Sequence, residues 1–424
     1  MSQSTCFKET ELGEIPEEWE VKRLGEVANI FDHLRIPLSE KQRESMKGEY
    51  PYCGANGIID YINDYIFDGE YVLLAEDGGY WGAFEPSAYI MQGKFWVNNH
   101  AHVLQGKDGI LLNRFLVYAL NFFDLTGYVS GTTRGKLTQT EMKKILIPLP
   151  PLEEQKRIAG VLRLVDEIIE RTRQIVSLYE KAKKYALSHL LTKGIGHTRF
   201  KQTELGEIPE EWKTTRAGEH FDISIGRTPN RNRQEFWDKD GETKNFWATI
   251  EDLQERVVIT TKERISDIGI KVCKMKPVPK GTVLVSFKLT IGRVSFAGCP
   301  LFFNEAIAAF LPKPTCQFDK GFLFYILHRL PQLAYQQNLI SPAVKGNTLN
   351  KHKLANLILP LPSLEEQKRI AEILSTIDKA IDNERRYLEA LGKLKKWLLN
   401  NLLTGKVRLP EWVGDILKQV FPEG

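Results

Sequence analysis

The 424-residue sequence has few cysteines, no long apolar run and only a small net charge. Its five cysteines form no C-x-x-C pair, which argues against a disulfide framework or a zinc site and favours free thiols in a reducing cytoplasm. No stretch approaches the roughly eighteen consecutive apolar residues of a membrane span, and residues 1–11 lack the apolar run of a signal peptide. A formal net charge of +4 is compatible with nucleic-acid binding without requiring it. Any DNA-binding surface must therefore be a local concentration of Lys and Arg.

Motifs for nucleotide binding and methyl transfer are also missing. Residues 131–136 resemble a phosphate-binding loop but are one residue short and lack a Ser or Thr after the lysine. No Asn- or Asp-Pro-Pro-Tyr/Phe motif occurs, so the chain is not expected to methylate adenine itself. His100 and His102 are a conceivable metal pair, but two histidines on one strand face are more often structural. We therefore expect no catalytic residue, no metal site and no cofactor bound directly by this chain.

Two short blocks occur twice in the chain, in the same order. The sequence ELGEIPEEW at Glu11–Trp19 returns at Glu204–Trp212, 193 residues later, and LEEQKRIA at Leu152–Ala159 returns at Leu364–Ala371, 212 residues later. Between the blocks the two copies look unrelated, and the second copy is longer by 19 residues. This spacing indicates a duplicated scaffold that holds two different inserts.

The second shared block is predicted to begin a helix. Proline-rich segments at 148–151 and 360–363 can precede a helix or form its first turn, but cannot lie in its interior. Ser363 followed by Glu366 fits a capping box, in which each side chain covers a free backbone N–H of the other residue. The first copy has Pro151 in place of Ser363, which weakens that cap.

Both helices are predicted to be unusually long. Gly194 and Gly405 are suitable stops, so the helices extend over residues 152–192 and 364–404, 41 residues each. A straight helix of that length spans roughly 60 Å, which no compact domain needs. The length therefore favours a coiled coil or spacer over two amphipathic helices that each lie on their own domain.

An apolar seam with alternating steps of four and three residues follows both helices. Polar interruptions fall at matching places, among them Lys183 and Lys395, and matching interruptions suggest control of register between partner helices. The residues predicted to pair the helices are Leu162, Val165, Ile169, Leu374, Ile377 and Ile381.

Each insert is predicted to be a small α+β domain with a twisted sheet. Residues 69–82 and 281–296 alternate β-forming residues with turns rich in Gly, Asn and Asp. Both inserts end in a helix-like apolar stretch, around residues 113–123 and 321–330.

Polar and basic residues collect in the turns of both inserts. Arg and Asn have bidentate geometry for the edges of guanine and adenine, and segments with glycines, hydroxyls and cations suit backbone phosphates. One such cluster is more often only a solvated face, so the argument rests on their repetition inside a duplicated frame. The candidates are Arg35, Lys41, Arg43, Trp81, Thr133, Arg134 and Lys136 in the first insert, and Arg227, Asn230, Arg231, Arg233, Lys288, Thr290, Arg293, Lys345 and Asn347 in the second.

The arrangement resembles the specificity subunits of type I restriction–modification systems over essentially the whole chain. The resemblance rests on L-G-E-I-P-E-E-W at Leu12 and Leu205, on I-P-L-P-P-L-E-E-Q-K-R-I-A at Ile147, and on L-P-L-P-S-L-E-E-Q-K-R-I-A at Leu359. It implies an α+β protein with two α/β target-recognition domains, joined by two long antiparallel coiled-coil helices in an internal pseudo-twofold repeat. The corresponding segments are domain 1 (1–150), helix 1 (151–195), domain 2 (196–362), and helix 2 with the C-terminal tail (363–424).

The resemblance also implies the partners. Each domain is expected to read one half of an asymmetric site in double-stranded DNA. Two modification subunits carrying S-adenosylmethionine are expected to dock on the shared regions and methylate adenine, while restriction subunits use ATP and Mg²⁺ for translocation and cleavage.

Three alternative functions compete with this one. A specificity subunit that serves only a methyltransferase fits the sequence equally well. A stand-alone nuclease or methyltransferase is disfavoured by the missing motifs, and a purely structural coiled-coil protein needs no such divergent inserts.

Overall fold

The computed structural model describes residues 6–131, 135–340 and 349–421. Contacts divide the chain into two compact units, Met1–Gln174 with Arg386–Gly424, and Ile175–Arg385. Both boundaries fall inside the long helices, so each unit contains one insert and a part of each helix. Part of each helix contributes apolar side chains to the domain cores, among them Leu162 and Leu402 in the first core and Ile370 and Leu374 in the second.

The first copy of the repeat contains ten strands and five α-helices among its described residues. They are β1 (Phe7–Thr10), β2 (Gly13–Pro16), β3 (Glu20–Arg23), α1 (Leu24–Val27), β4 (Ala28–Ile30), α2 (Glu40–Ser45), β5 (Lys47–Gly54), β6 (Gly57–Ile62), β7 (Phe67–Ala75), β8 (Ala88–Val97), β9 (Ala101–Gly106), α3 (Asn113–Phe122), α4 (Gln139–Met142), β10 (Leu146–Leu149) and α5 (Leu152–Leu190).

The second copy begins and ends with the same elements, but among the described residues its insert has eight mostly shorter strands where the first insert has six. Its elements are β11 (Phe200–Thr203), β12 (Gly206–Pro209), β13 (Lys213–Arg216), α6 (Ala217–His220), β14 (Phe221–Ile225), β15 (Phe246–Ala248), β16 (Val257–Val258), β17 (Glu263–Arg264), α7 (Asp267–Val272), β18 (Val283–Ser286), β19 (Val294–Ala297), β20 (Phe302–Phe303), β21 (Ile307–Pro312), α8 (Lys320–Leu327), α9 (Leu330–Gln336), α10 (Lys351–Ala355), β22 (Ile358–Leu361), α11 (Leu364–Leu402) and the C-terminal α12 (Trp412–Val420). Short 3-10 turns lie at Asp32–Leu34, Thr126–Tyr128, Gln234–Phe236 and Ile250–Asp252.

The two inserts share a sheet topology although their sequences look unrelated. The sheet of the first has the order β4-β9-β7-β8-β5-β6, and the main sheet of the second has the order β14-β21-β18-β19-β16. In both sheets the first four strands pair antiparallel. The fifth strand is parallel to its neighbour, since β5 pairs in parallel with β8 and β16 with β19. The second insert adds a small sheet with the order β17-β15-β20. The predicted duplicated α+β architecture is confirmed.

A short antiparallel ladder closes each insert. Strand β3 pairs with β10, and β13 pairs with β22, so the first and last residues of an insert lie side by side. The strands β10 and β22 contain Pro148 and Pro360, and the prolines at 150 and 362 end the ladder just before each long helix. The chain therefore enters and leaves each insert at one place on the shared scaffold.

Helices α3 and α8 cover the sheets with their apolar side chains. Phe115, Leu116 and Ala119 of α3 are fully buried in the first core, and Phe322 and Ile326 of α8 are fully buried in the second. Both helices lie where the sequence predicted them, although α8 ends at Leu327, before the expected residue 330.

The long helices α5 and α11 have 39 residues each, which corresponds to about 58 Å. In the first unit, Leu162 shares a core with Leu402, while Val165 and Ile169 pack with Leu391. Residue numbers rise along α5 as they fall along α11, so the two segments are antiparallel within this unit. The predicted long, antiparallel helices are confirmed, and Leu374 and Ile381 are buried on α11 while Ile377 is half-buried.

The helix ends differ from the prediction in two details. Both helices stop two residues before the expected Thr192 and Thr404. The Glu366 N–H donates to Ser363 Oγ at 3.2 Å, but the Glu366 carboxylate does not return to the Ser363 N–H, so the predicted capping box is wrong in its second half. That carboxylate instead accepts hydrogen bonds from the Trp212 indole and the Ile195 N–H.

No helix in the described part of the chain is both long and apolar enough to cross a membrane.

Candidate nucleic-acid interface

In the second domain, three loops meet at one end of the main sheet. The Arg227 N–H donates to Phe303 O at 2.9 Å, which holds the loop after β14 against the segment before β21. The Phe287 N–H donates to Ala306 O at 3.0 Å, which brings the β18–β19 turn to the same segment. The Leu349 N–H donates to Phe287 O at 3.3 Å, so the chain re-enters this end of the sheet directly after Lys345 and Asn347, which lie outside the described residues.

Many of the predicted cations in these loops are held by partners in the same domain. Arg231 makes a two-pronged contact with the Glu263 carboxylate, including Nη2 to Oε2 at 3.0 Å, and its guanidinium lies 4.2 Å from the Trp237 ring centre. Arg293 donates to Ile250 O at 3.1 Å, and Arg233 lies 3.7 Å from Glu235. The contacts of Arg231 and Arg293 fix where these two cations lie, whereas Arg233 and Glu235 are both largely exposed.

Glu305 shows that several of the predicted residues surround one point. Burial raises the pKa of this carboxyl, but a hydrogen bond from Thr228 and the nearby charges of Lys288 and Arg231 outweigh burial and lower the pKa. Asn230 and Thr290 are exposed in the same two loops. The structure therefore brings together the candidates at 227–233 and 288–293.

A basic segment that the sequence reasoning missed lies beside this end of the sheet. Arg227 Nη1 donates to Cys273 O at 3.0 Å, next to the exposed Lys271, Lys274 and Lys276. The alternation of lysines in this segment was a visible signal, but the segment is far from the Arg-rich loop in the sequence.

In the first domain, the corresponding loops meet around Glu76. Arg35 Nη1 lies 2.6 Å from Glu76 Oε2, and Lys136 Nζ lies 3.1 Å from Glu76 Oε1. The Leu137 N–H donates to Glu76 O at 2.8 Å, at the position equivalent to Leu349. Asn56 Nδ2 donates to Gly78 O at 2.9 Å, which adds the β5–β6 turn. The same loops converge in both domains.

Below this meeting point lies a buried ionic network. Ligand atoms of Asp32, Glu76 and His102 lie within 4.8 Å of one another, as a metal site would require. However, Arg35 already occupies the carboxylates, and Asp32 Oδ2 is 2.7 Å from His102 Nδ1 and accepts from Gln139 Nε2 at 3.0 Å. Burial raises the pKa of Asp32, but these hydrogen bonds outweigh it and hold the pKa below its usual range. We interpret the cluster as a salt-bridge network.

The remaining candidates of the first domain lie in different settings. Trp81 is buried, and its indole N–H donates to Ala75 O at 3.1 Å, whereas its neighbour Tyr80 is 56% exposed. Lys41 and Arg43 lie on α2, where Arg43 Nε donates to Asp60 on strand β6 at 3.1 Å. His100 pairs with Asp77 at 2.7 Å, so it does not share a ligand set with His102. Thr133 and Arg134 lie outside the described residues.

The two shared sequence blocks contact each other in both units. Trp19 Nε1 donates to Glu154 Oε2 at 3.1 Å, and Trp212 Nε1 donates to Glu366 Oε2 at 3.0 Å. The glutamine that follows each of these glutamates also makes the same contact in both units. Gln155 accepts a hydrogen bond from the Leu112 N–H just before α3, and Gln367 accepts one from the Asp319 N–H just before α8. The residues that the two copies share therefore form the same contact between helix and domain in both units.

A family model described as the type I restriction modification DNA specificity domain matches residues 16–178 and again residues 209–393. The chain belongs to this family. A specificity subunit of the type I restriction enzyme MjaVIII from Methanocaldococcus jannaschii is 31% identical over 427 residues, covering 95% of this chain and 96% of the relative. We therefore assign this chain the general role of DNA-sequence recognition in a type I restriction–modification system.

Solved structures of this class share the fold. The crystal structure of a type I restriction–modification S subunit from M. genitalium is 16% identical, covers 91% of this chain and 96% of that chain, and superposes with a TM-score of 0.59. A second structure, from a study of complex assembly and conformational transition of the type I system, is 20% identical, covers 93% of this chain and 99% of that chain, and has a TM-score of 0.51.

In this specificity-family chain, each recognition domain also contacts the middle of the helices. Asp166 Oδ2 accepts from Tyr118 at 2.8 Å, and its Oδ1 lies 2.6 Å from Lys395 Nζ. In the second unit Asp378 Oδ2 accepts from Tyr325 at 2.6 Å, and its Oδ1 lies 2.6 Å from Lys183 Nζ. Burial, together with the neighbouring carboxylate, raises the pKa of both tyrosines. We call these two sets the Tyr–Asp–Lys triads.

Proposed function

We propose that the two domains read the two different halves of an asymmetric, bipartite site in double-stranded DNA. The observation that carries this proposal is the repetition of one loop arrangement in two domains with different loop residues. A repeated scaffold presents the same loops twice, while different residues in those loops recognise different base sequences.

We propose that the loops after β4, β7, β14 and β18 make the DNA contacts. Arg227, Asn230, Arg233, Lys288 and Thr290 are exposed or near the surface and can reach base edges or phosphates. Arg35 and Trp81 support the first-domain loops from below, since their donors are bonded within the domain.

We propose that the long helices set the distance between the two half-sites. Each helix of about 58 Å exceeds one DNA turn of roughly 34 Å, which leaves room for an uncontacted spacer. Deleting seven residues from both helices removes about 10 Å, or about three base pairs. A deleted protein that folds and assembles but still methylates sites with the original spacing contradicts this model.

We propose that the chain has no catalytic centre or cofactor of its own and acts through partners. Two modification subunits with S-adenosylmethionine would methylate adenine, and restriction subunits with ATP and Mg²⁺ would cleave the DNA. Family membership supports these partners in general terms. A system that only methylates DNA would use the same chain, and purification of the complex from its host distinguishes the two.

The first experiment is to co-express this chain with its own modification subunit and to map N6-methyladenine across the genome of the host cell. We expect one asymmetric motif with two short specific parts and a fixed gap. Exchanging only residues 24–145 for the corresponding insert of a relative should change one half of the motif and leave the other half and the gap unchanged. A folded, assembled complex that methylates nothing, or an exchange that changes both halves, contradicts the proposal.

A further inference from the structure

An exposed leucine lies at the tip of the β18–β19 turn. The side chain of Leu289 is 87% exposed, although leucine is a residue that folding normally buries. Its backbone has a φ of 59°, in the left-handed region that is unfavourable for residues other than glycine and asparagine. Neither the exposure nor the backbone conformation helps the isolated domain to fold.

The turn holds this leucine in a defined position. Ser286 is completely buried, its hydroxyl donates to Thr290 O at 2.5 Å, and the same hydroxyl accepts from the Arg293 N–H at 3.0 Å. The Gly292 N–H donates to Ser286 O at 2.9 Å. A rigid turn that presents an apolar tip is suited to insertion into a partner, because little order has to be gained on binding.

The surroundings of Leu289 favour DNA as that partner. Lys288 precedes it, Arg293 follows in the same turn, and the Arg227 loop lies across Glu305 from Lys288. Cationic and hydroxyl groups around one apolar tip match the layout of proteins that contact phosphates and insert a side chain between base pairs.

The first domain presents a different side chain at the equivalent turn. Tyr80 lies in the longer connection between β7 and β8, is 56% exposed, and precedes the buried Trp81 in the sequence. Lys136 flanks this turn through its contact with Glu76. The aromatic ring and the leucine lie in equivalent connections, although not at the same position of them, and both are side chains that can stack against or separate bases.

We propose that Leu289 inserts between two neighbouring base pairs of its half-site as an apolar wedge, and that Tyr80 stacks on a base of the other half-site. The inference rests on the proposed function, in which these loops contact DNA. It adds that the second domain recognises its half-site in part by how easily one base step opens.

The test uses the complex with its modification subunit and a duplex that carries the methylated motif. A 2-aminopurine is placed in turn at each step of the half-site that changes when residues 196–362 are exchanged. We expect wild-type protein to raise the fluorescence of the probe at one step, where stacking is lost. Leu289→Asn should abolish that rise and weaken binding by about tenfold or more, because asparagine tolerates the left-handed backbone but cannot fill the opened step.

Three controls separate a wedge from a structural role. Leu289→Met should keep the fluorescence rise, and Ile259→Ala should leave binding unchanged, since Ile259 is 68% exposed at the other end of β19. A mismatch at the opened step should restore binding by Leu289→Asn toward the wild-type value, because the unstacking cost has already been met.

The outcomes distinguish this inference from the proposed function. If the wild-type complex shows no preference for the motif, the proposed function fails. If it binds the motif but Leu289→Asn binds equally well with no change in probe fluorescence, the wedge is wrong. If Leu289→Asn instead reduces co-purification of the modification subunit, Leu289 contacts protein and the wedge is also wrong.

Discussion

The two Tyr–Asp–Lys triads place the same chemistry in two different environments, and this difference has a measurable consequence. Asp378 is 13% exposed and receives hydrogen bonds or ion pairs from Lys183, Tyr325 and also Arg256, whose Nη1 lies 2.6 Å from Oδ2. Asp166 is 36% exposed and is contacted by Tyr118 and Lys395. Replacing each aspartate with asparagine removes one charge and keeps the shape of the side chain.

The expected losses follow from the number of contacts and their burial. Hydrogen bonds to charged groups contribute about 1.5–3 kcal/mol when sheltered, and exposed ion pairs contribute about 0–1 kcal/mol. Asp378→Asn leaves three donors without a carboxylate, two of them about one-third exposed, so we expect a local loss of about 2 kcal/mol. Asp166→Asn should cost about 1 kcal/mol or less, since this site is more exposed and has fewer partners.

Hydrogen exchange of peptides from the two helices measures these losses locally, which avoids assuming that a two-unit chain unfolds in one step. A loss of about 2 kcal/mol should speed exchange around residues 374–382 about 30-fold in Asp378→Asn. Asp166→Asn should speed exchange around residues 162–170 by about fivefold or less. Tyr325→Phe removes the hydrogen bond from Tyr325 to Asp378, so it should speed exchange by an amount between those of the two aspartate variants. Equal effects at the two aspartates, or none at either, would refute the reasoning.

Two further predictions concern single residues. Burial lowers the pKa of His328, so the unfolded chain binds more protons than the folded chain between that lowered pKa and about 6.5. The second unit should therefore lose stability as the pH falls below about 6.5. Denaturation at several pH values should show that the stability of His328→Gln depends less on pH than that of the wild type. Gly405 has a φ of 68°, and a Cβ placed there would lie 2.3 Å from Pro16 Cγ, whereas Gly196 has a φ of 74° with open space around it. Gly405→Ala should therefore lower the melting temperature clearly more than Gly196→Ala, which costs only about 1 kcal/mol for the left-handed backbone. Equal melting temperatures of the two variants would contradict the predicted clash.

The scaffold was predictable from the sequence because its signals are local or repeated. Prolines before each helix, the spacing of apolar residues along it and the glycines after it are each read within a few residues of the feature that they determine. The duplication then gave a second, independent copy of every signal. The burial of Glu154 and the partial burial of Glu366 could not be predicted in the same way, since a glutamate in the first turn of a helix is normally exposed. Their tryptophan partners are more than 130 residues distant in the sequence.

The inserts were harder to predict because strand pairing joins residues that are distant in the sequence. The residues of β7 and β18 do not reveal that each is the third strand in a sheet of the same topology. The adjacent aromatics Tyr80 and Trp81 show the second difficulty. Successive side chains along an extended segment point to opposite faces, so a shift of one residue exchanges the buried and exposed members of such a pair. Trp81 was predicted as the DNA-contacting member of the pair, and it lies in the core.

The triads also explain why each long helix keeps a lysine in its apolar seam. A seam of apolar residues alone permits the antiparallel partners to slip by one heptad, since leucines and isoleucines would meet other leucines and isoleucines. A slip of seven residues would move Lys183 about 10 Å from Asp378 and Lys395 the same distance from Asp166. Both lysines would then be unpaired beside apolar surface, and each aspartate would lose its lysine while keeping the tyrosine of the domain that is joined to the same helix. Because the penalty occurs twice, once in each unit, the helix pair has one favoured register. A chain whose proposed task is to keep two half-sites at a fixed separation requires that property of its helices.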